Sequence, residues 1–324
     1  MKVMAIDVGY SATKAVSVSG RVLIPSVVAP FRELPLADLS GNGSGYVTTI
    51  HRLSGGSSRH FVGDLAVREG LGATFTLDRD KHKHPNHDIL VLTAARALGA
   101  AAGVRLVVGT PVAYYGLHKE ELQRQLEGLH AEVSIEDAPP ARVSFGEVMV
   151  YPQGAGALLM ATDQPESGLV LMVEVGFKTT DYITAEVIRT RIRPVASLCG
   201  SIETGVYAVY EAVAGAYHTM TGAPIKIIRV PEITAAGGKT YYYGREIDLS
   251  GVLRAARDQV ALTIADQVKS ALGERMAQVR RSYLAGGGAL ELPGLEKHFP
   301  VCRLLEDPVW ANAEGFLRRA ERDV

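Results

Sequence analysis

At 324 residues, the chain is long enough for two domains of roughly 150 residues each. A hydrophobic content of 47% with 21% charged residues describes a folded globular protein and excludes a disordered one. The formal net charge of −1 gives no broad attraction to nucleic acid or anionic membrane, and Cys199 and Cys302 are too few for a disulfide framework. Asp7 arrives after a handful of apolar residues, too early for a signal-peptide core, and no apolar run reaches the ~18–20 residues of a spanning helix. A soluble, cytoplasmic protein is expected.

Residues 2–8, 12–18 and 21–28 read as three short strands, the first two joined by a turn at Gly9–Ser11. Residues 31–86 are expected to be irregular, with SGNGSG and LSGGSS as loops between short strands at 46–52 and 60–63. A helix over 88–102, a buried strand over 104–111 and a charged helix near 117–128 follow. ARVSFGEVMVYPQGAGALLMA then runs as a strand, Pro152 and a helix starting at Gln153–Gly154. From Gly168 a near-continuous apolar strand opens a second half. It continues with a helix near 201–217, a Gly- and Tyr-rich segment and a long amphipathic helix near 250–272. VRRSYLAGGGALELPGL reads as strand, triple glycine and helix, and DPVWANAEGFLRRAERD as a final helix. Strands first and helices after, twice over, predict two α/β domains with a ligand cleft between them.

The two halves open alike. AIDVGYSATK (5–14) sets an alternating apolar strand against Asp7 and Gly9, and LMVEVGFKTTDYITAEV (171–187) repeats the pattern. Aligning Asp7 with Glu174 superposes Gly9 on Gly176, Tyr10 on Phe177 and Thr13 on Thr180. Tight turns at such glycines aim backbone N–H groups at one point, and Ser11, Thr179 and Thr180 add hydroxyl donors, so two such loops would clasp a polyphosphate. Lys14 adds a point charge. Asp7 and Glu174 would repel phosphate directly; their role is to hold Mg²⁺ through its retained waters. Two unrelated hairpins with ordinary turn residues are the alternative, and the repeat argues against it.

Taken as a set, DVGYSATK, EVGFKTTD, YPQGAGA and LAGGGA resemble four loops of the actin-like ATPase superfamily: first phosphate loop, second phosphate loop, connecting segment and adenosine loop. IDVGYSATKAVSV, VYPQGAGAL, GREIDLSG and DPVWANAEGF most resemble the ParM-type actin-like proteins of bacterial plasmids and archaea. The resemblance covers almost the whole chain. It implies an actin-like fold, with 1–152 plus 307–324 as domain I and 153–306 as domain II. Smaller subdomains would lie at 31–87 and about 218–272.

The resemblance places Asp7, Gly9, Tyr10, Ser11 and Lys14 in the first phosphate loop, and Gly176, Phe177, Lys178, Thr179, Thr180 and Asp181 in the second. Gln153 falls where the family orients attacking water; the alternative is that it only caps a helix. Gly286, Gly287 and Gly288 match the loop on which adenosine lies, since glycine lets backbone approach a flat ring closely. Glu203 and Gly205 match, loosely, a wall of the base pocket. One departure is Glu174, where the family usually has aspartate. Its extra methylene moves the carboxylate, and Mg²⁺ demands near-octahedral geometry, so the hydrolysis rate is the property this change touches.

The implied function is an ATPase, with ATP and Mg²⁺ as cofactors, that polymerises with itself into filaments for plasmid or DNA segregation or as a cytoskeletal element. A DNA-binding adaptor is the expected further partner, with no direct nucleic-acid or membrane contact. The alternative is a small-molecule kinase of the acetate and sugar kinase type, but no separate acidic base stands near the second loop. A heat-shock-chaperone-like ATPase would add a peptide-binding domain, whereas this chain ends just after its last helix. The remaining features read as structural. DKHKHPNHD (80–88) is expected to be a solvated loop rather than a metal site, because His82, His84 and His87 lack a partner cluster. Cys199 and Cys302 are expected to be buried small hydrophobes, TYYYG (240–244) a half-buried strand, and Arg280–Arg281 and Arg318–Arg319 solvated helix faces.

Overall fold

The computed structural model describes residues 2–35, 45–53, 55–74, 77–136, 138–189 and 191–322. They divide into two compact units, Met1–Leu159 with Asn312–Val324, and Met160–Ala311.

In the first unit the strands are β1 (Val3–Val8), β2 (Ala12–Ser17), β3 (Gly20–Pro25), β4 (Val28–Pro30), β5 (Tyr46–Arg52), β6 (Ser57–Val62), β7 (Val104–Thr110), β8 (His130–Ile135) and β9 (Ala141–Pro152). The helices are α1 (Asp64–Glu69), α2 (Pro85–Ala97), α3 (Val112–Glu127), α4 (Ala155–Leu158) and the C-terminal α9 (Ala311–Glu321). One sheet orders its strands β3-β2-β1-β7-β9-β8-β5-β6-β4. In the second unit the strands are β10 (Ser167–Val175), β11 (Thr180–Ile188), β12 (Arg191–Pro194), β13 (Gly200–Ile202), β14 (Lys239–Tyr242), β15 (Arg245–Asp248), β16 (Val279–Ala285) and β17 (Cys302–Leu304). Its helices are α5 (Val206–Thr221), α6 (Val230–Ala235), α7 (Ser250–Leu272) and α8 (Gly287–Glu291). Its main sheet runs β12-β11-β10-β16-β17.

The two sheets share one plan. In each, three antiparallel strands (β3-β2-β1 and β12-β11-β10) continue into two parallel ones (β7-β9 and β16-β17). The repeat seen in the sequence is therefore a repeat of topology, and the strand that ends in an acid, β1 or β10, is central in both. Central strands are covered on both faces, which is why β7 is buried along its whole length and reads as a continuous apolar run. Arg105, the one cation in that run, donates to Ala320 O at 3.1 Å and Glu147 Oε1 at 3.0 Å and so ties β7 to the end of α9. In α7 the buried positions Leu253, Val260, Ala261, Ile264, Ala265, Val268 and Leu272 form the single stripe that the helical period predicts.

Local chemistry moves several boundaries. α2 occupies 85–97 rather than 88–102, because Pro85 stands at its first turn and His84 Nδ1 accepts from Asn86 N at 3.2 Å. α3 starts directly after Pro111, five residues ahead of the expected 117. α5 begins at Val206, with 200–202 drawn into β13 beside β11. Several elements were not legible, among them α1, inside the stretch expected to be irregular, β8, which pairs with both β5 and β9, and the short β12, β17 and α6. The expected SGNGSG loop lies, apart from Gly45, outside the described residues.

The loop expected to be solvated at 80–88 exposes Asp80, Lys83 and Pro85 but buries three other side chains in the first unit. Lys81, His82 and His87 are buried, the His82 and His118 rings lie 4.6 Å apart, and Gln125 Nε2 donates to His82 O and Asp88 Oδ1, both at 2.8 Å. Periodicity could not show this, because the burying surface is α3, distant in sequence. Arg280 and Arg281 lie on β16, not a helix; Arg281 pairs with Asp163 Oδ2 at 2.7 Å, and Arg318 donates to Leu159 O at 2.9 Å, so these are ties rather than free charges. TYYYG forms a hairpin whose turn residues Tyr243 and Gly244 both take positive φ, which leaves Tyr243 91% exposed. Cys199 and Cys302 are half-buried, and burial pushes both thiols up, Cys302 to about 12.

Candidate functional site

Each unit builds the same turn at the end of its central strand. Register pairs Asp7 with Lys14 and Val8 with Thr13 in one, Glu174 with Asp181 and Val175 with Thr180 in the other. Gly9 N donates to Ala12 O at 3.1 Å, and Gly176 N to Thr179 O at 2.9 Å. A Cβ on Gly9 would sit 2.6 Å from Ala12 O, and one on Gly176 2.9 Å from Thr179 O. Neither glycine has positive φ, so close approach is what requires it.

What surrounds each turn sets where its amides point. Behind the first, Ser26 Oγ donates to Gly9 O at 2.7 Å and Ser26 N to Ser11 O at 2.9 Å. Behind the second, the first turn of α5 does the same work: Val206 N donates to Gly176 O at 3.3 Å and Tyr207 N to Phe177 O at 2.7 Å. In a planar trans peptide the next N–H points opposite its carbonyl. Drawing the carbonyls of Gly9, Ser11, Gly176 and Phe177 back therefore turns the amides of Tyr10, Ala12, Phe177 and Lys178 the other way. Successive amides aimed outward make an anion-binding concavity.

The side chains of the two loops divide by exposure. Ser11 is exposed, and Lys14 and Lys178 are half-buried. Tyr10 is buried, with its hydroxyl donating to Asp78 O at 3.2 Å, so what it offers a ligand is its backbone. Thr180 is fully buried and donates to Thr204 O at 2.7 Å, Thr179 is buried, and Asp181 accepts from Ser201 Oγ at 2.5 Å. Phe177 packs edge-on to Tyr207 and Tyr210, with ring centroids 5.6 and 5.5 Å away. Glu203, expected on a helix, is exposed in the turn before α5, while Gly205 is the residue preceding that helix. A Cβ at Gly205 would meet Phe177 O at 2.6 Å, so this glycine serves the second loop directly.

Both acids are buried, Asp7 at 2% and Glu174 at 7% exposure. Asp7 Oδ1 accepts from Gln153 Nε2 at 2.6 Å, and Oδ2 lies 3.4 Å from Lys14 Nζ. Gln153 is placed by Gln153 N donating to Thr110 O at 2.9 Å, in the turn between β9 and α4. It does not cap α4. Asn312 does, its Oδ1 accepting from Gly154 N at 2.9 Å and Ala157 N at 3.2 Å. In the second unit Glu174 touches the glycine run: a Cβ on Gly286 would fall 2.5 Å from Glu174 Oε1, and Gly286 φ is 85°. A Cβ on Gly288 would fall 2.5 Å from Val175 Cγ1, whereas one on Gly287 would meet nothing within 4 Å. Two of the three glycines are thus explained by packing against β10, and the middle one faces open space.

Among the described residues no group of three His, Cys, Asp or Glu is placed to hold a metal directly. A buried carboxylate beside each turn nevertheless fits Mg²⁺, which keeps most of its waters and takes remaining ligands from phosphate. Three residues that serve these loops escaped the sequence reading. Ser26 lies outside every motif, Lys81 stands out only with the histidines of 80–88, and Asn312 only within DPVWANAEGF; their roles come from contacts to residues far along the chain.

The fold and the paired loops define an actin-like protein. Residues 5–156 match the family model for the N-terminal domain of actin-like proteins, and residues 172–297 that for the C-terminal domain of the archaeal, MreB-like actin homologue. The chain belongs to the actin-like proteins. It is 23% identical to an archaeal actin homolog of Thermoplasma acidophilum over the full length of both chains. Among solved structures it superposes on a ParM of a 15-stranded filament from Clostridium botulinum with a TM-score of 0.86, 21% identity and 99% of each chain covered. An archaeal actin homolog in complex with ADP gives a TM-score of 0.80 at 23% identity, covering 99% of this chain and 100% of that one.

Proposed function

We propose that the protein binds ATP with Mg²⁺, polymerises with itself in the ATP state, and hydrolyses the nucleotide to weaken its filaments. The observation that carries this reading is the repeated glycine-closed turn, each with outward amides and a buried acid, in a chain whose structural relatives include a filament ParM and an ADP complex. In this reading the amides of Tyr10–Ala12 and Phe177–Lys178, with Ser11, Lys14 and Lys178, bind the phosphates. Thr179, Thr180 and Asp181 hold the second turn in shape, and the open Gly287 lets the adenosine moiety approach. Asp7 and Glu174 are the acids that would hold Mg²⁺ through its waters, and the ion would supply charge neutralisation on the phosphates. Gln153, fixed against Asp7, orients the attacking water; a neutral amide is a poor base, so it acts by position.

Assembly follows from head-to-tail contacts that do not close into a ring. The ParM-type resemblance extends the proposal to a DNA-bound adaptor as filament partner, in a role of DNA segregation or cytoskeletal support. A kinase acting on a small acceptor is not favoured, since the matching families and relatives are actin-like. Sedimentation and negative-stain microscopy with ATP, without any acceptor, test the reading. Pellets and filaments that require ATP and Mg²⁺ support it. Protein that stays in the supernatant across nucleotide, salt and temperature, or ADP release that requires an acceptor, would overturn it.

A further inference from the structure

The peptide between Val8 and Gly9 is the hinge of the first turn. Its N–H closes the hairpin onto Ala12 O, and its carbonyl is held from behind by Lys81, whose Nζ lies 2.5 Å from Val8 O. Lys81 belongs to the 80–88 segment, outside both phosphate-loop motifs. It is only 8% exposed, and its ammonium also lies 4.4 Å from the centroid of the Tyr10 ring. Tyr10 is anchored just ahead of that segment, its hydroxyl donating to Asp78 O. A small cavity at this point is lined by Val8, Gly9, Tyr10, Ser26, Lys81 and His87.

Burying an ammonium is costly, and lysine is among the residues least often found inside. Filling space behind a loop needs only leucine or methionine, whereas a cation at this place can do what an apolar side chain cannot. Two tasks fit the geometry. A charged donor holds a carbonyl more firmly than a neutral one. A fixed positive charge behind a cluster of outward amides also adds to the field that draws an anion. Burial lowers His87 below its ordinary value, which favours its neutral form beside Lys81.

We propose that Lys81 is a positioning residue for nucleotide binding: by holding the Val8 carbonyl, with Ser26 holding that of Gly9, it sets the first turn for phosphate before any ligand arrives. The inference rests on the reading of this turn as a phosphate loop.

The test uses the full chain and three measurements: thermal unfolding, equilibrium binding of a fluorescent ATP analogue with Mg²⁺, and steady-state phosphate release. Lys81→Met keeps the stem and removes the charge. It should unfold at or above the wild-type temperature, weaken nucleotide binding by about 10- to 100-fold, and raise KM while leaving kcat nearly unchanged. Lys81→Gln, one bond shorter and still polar, loses the reach to Val8 O and serves as the second variant should methionine not fold; the same shift is expected. A folded variant that binds within about twofold of wild type would overturn the inference while leaving the phosphate-loop reading standing. Failure of both variants to fold would make Lys81 structural and overturn it as well. Wild-type protein that binds no ATP would overturn the loop reading and, with it, this role.

Discussion

Replacing Gln153 with alanine removes the amide whose Nε2 stands 2.6 Å from Asp7 Oδ1. The change is local. Asn312, not Gln153, caps α4, and Lys14 Nζ remains 3.4 Å from the other Asp7 oxygen, so the buried carboxylate keeps a compensating charge. A hydrogen bond to a charged acceptor contributes about 1.5–3 kcal/mol, and the fold has other ties that hold the β9–α4 turn in place. If the amide positions water in the transition state only, its loss raises the barrier by about 1.4–4 kcal/mol, a slowing of about 10- to 1,000-fold. ATP affinity and assembly should survive, because the amide holds no phosphate, and filaments should outlast those of wild type. Phosphate release and light scattering recorded on one sample decide the matter. Wild-type hydrolysis in the variant, or ATP binding lost in step with hydrolysis, would refute the assignment.

Three further outcomes are expected. Asp7→Ala should abolish the Mg²⁺-dependent part of ATP affinity; an affinity indifferent to both the substitution and EDTA would remove the metal from the site. Gly288→Ala, whose Cβ would meet Val175 Cγ1 at 2.5 Å, should lower the unfolding temperature, whereas Gly287→Ala should leave it unchanged and weaken nucleotide binding; thermal unfolding and binding on both variants separate packing from ligand approach. His82 and His87, ordinarily near 6.5, are both pushed down, by burial above all; Glu121 and His118 flank the first, Asp88 and Lys81 the second. The unfolded chain therefore binds more protons than the folded one just below 6.5, so stability against urea should fall as pH drops through that value, and His87→Gln should flatten the slope.

Periodicity and spacing made most of the sheet legible before any coordinates: β1, β2, β5, β7, β10, β16 and α7 fall where alternation, continuous apolar runs and the helical stripe put them. The paired loops were legible for a different reason. Turn geometry is local, so Gly9 and Gly176, three residues before the carbonyls they approach, announce themselves in the sequence. Tertiary structure alone decided the rest. That Gly288 packs on Val175 and Gly287 does not depends on which way the run after β16 turns. Asn312 caps α4 from the far end of the chain, Ser26 and Lys81 hold the back of the first turn, and His82 is buried where α3 lies over it. Each of these is a contact between residues distant in sequence, where a side chain's own pattern carries no record of its partner.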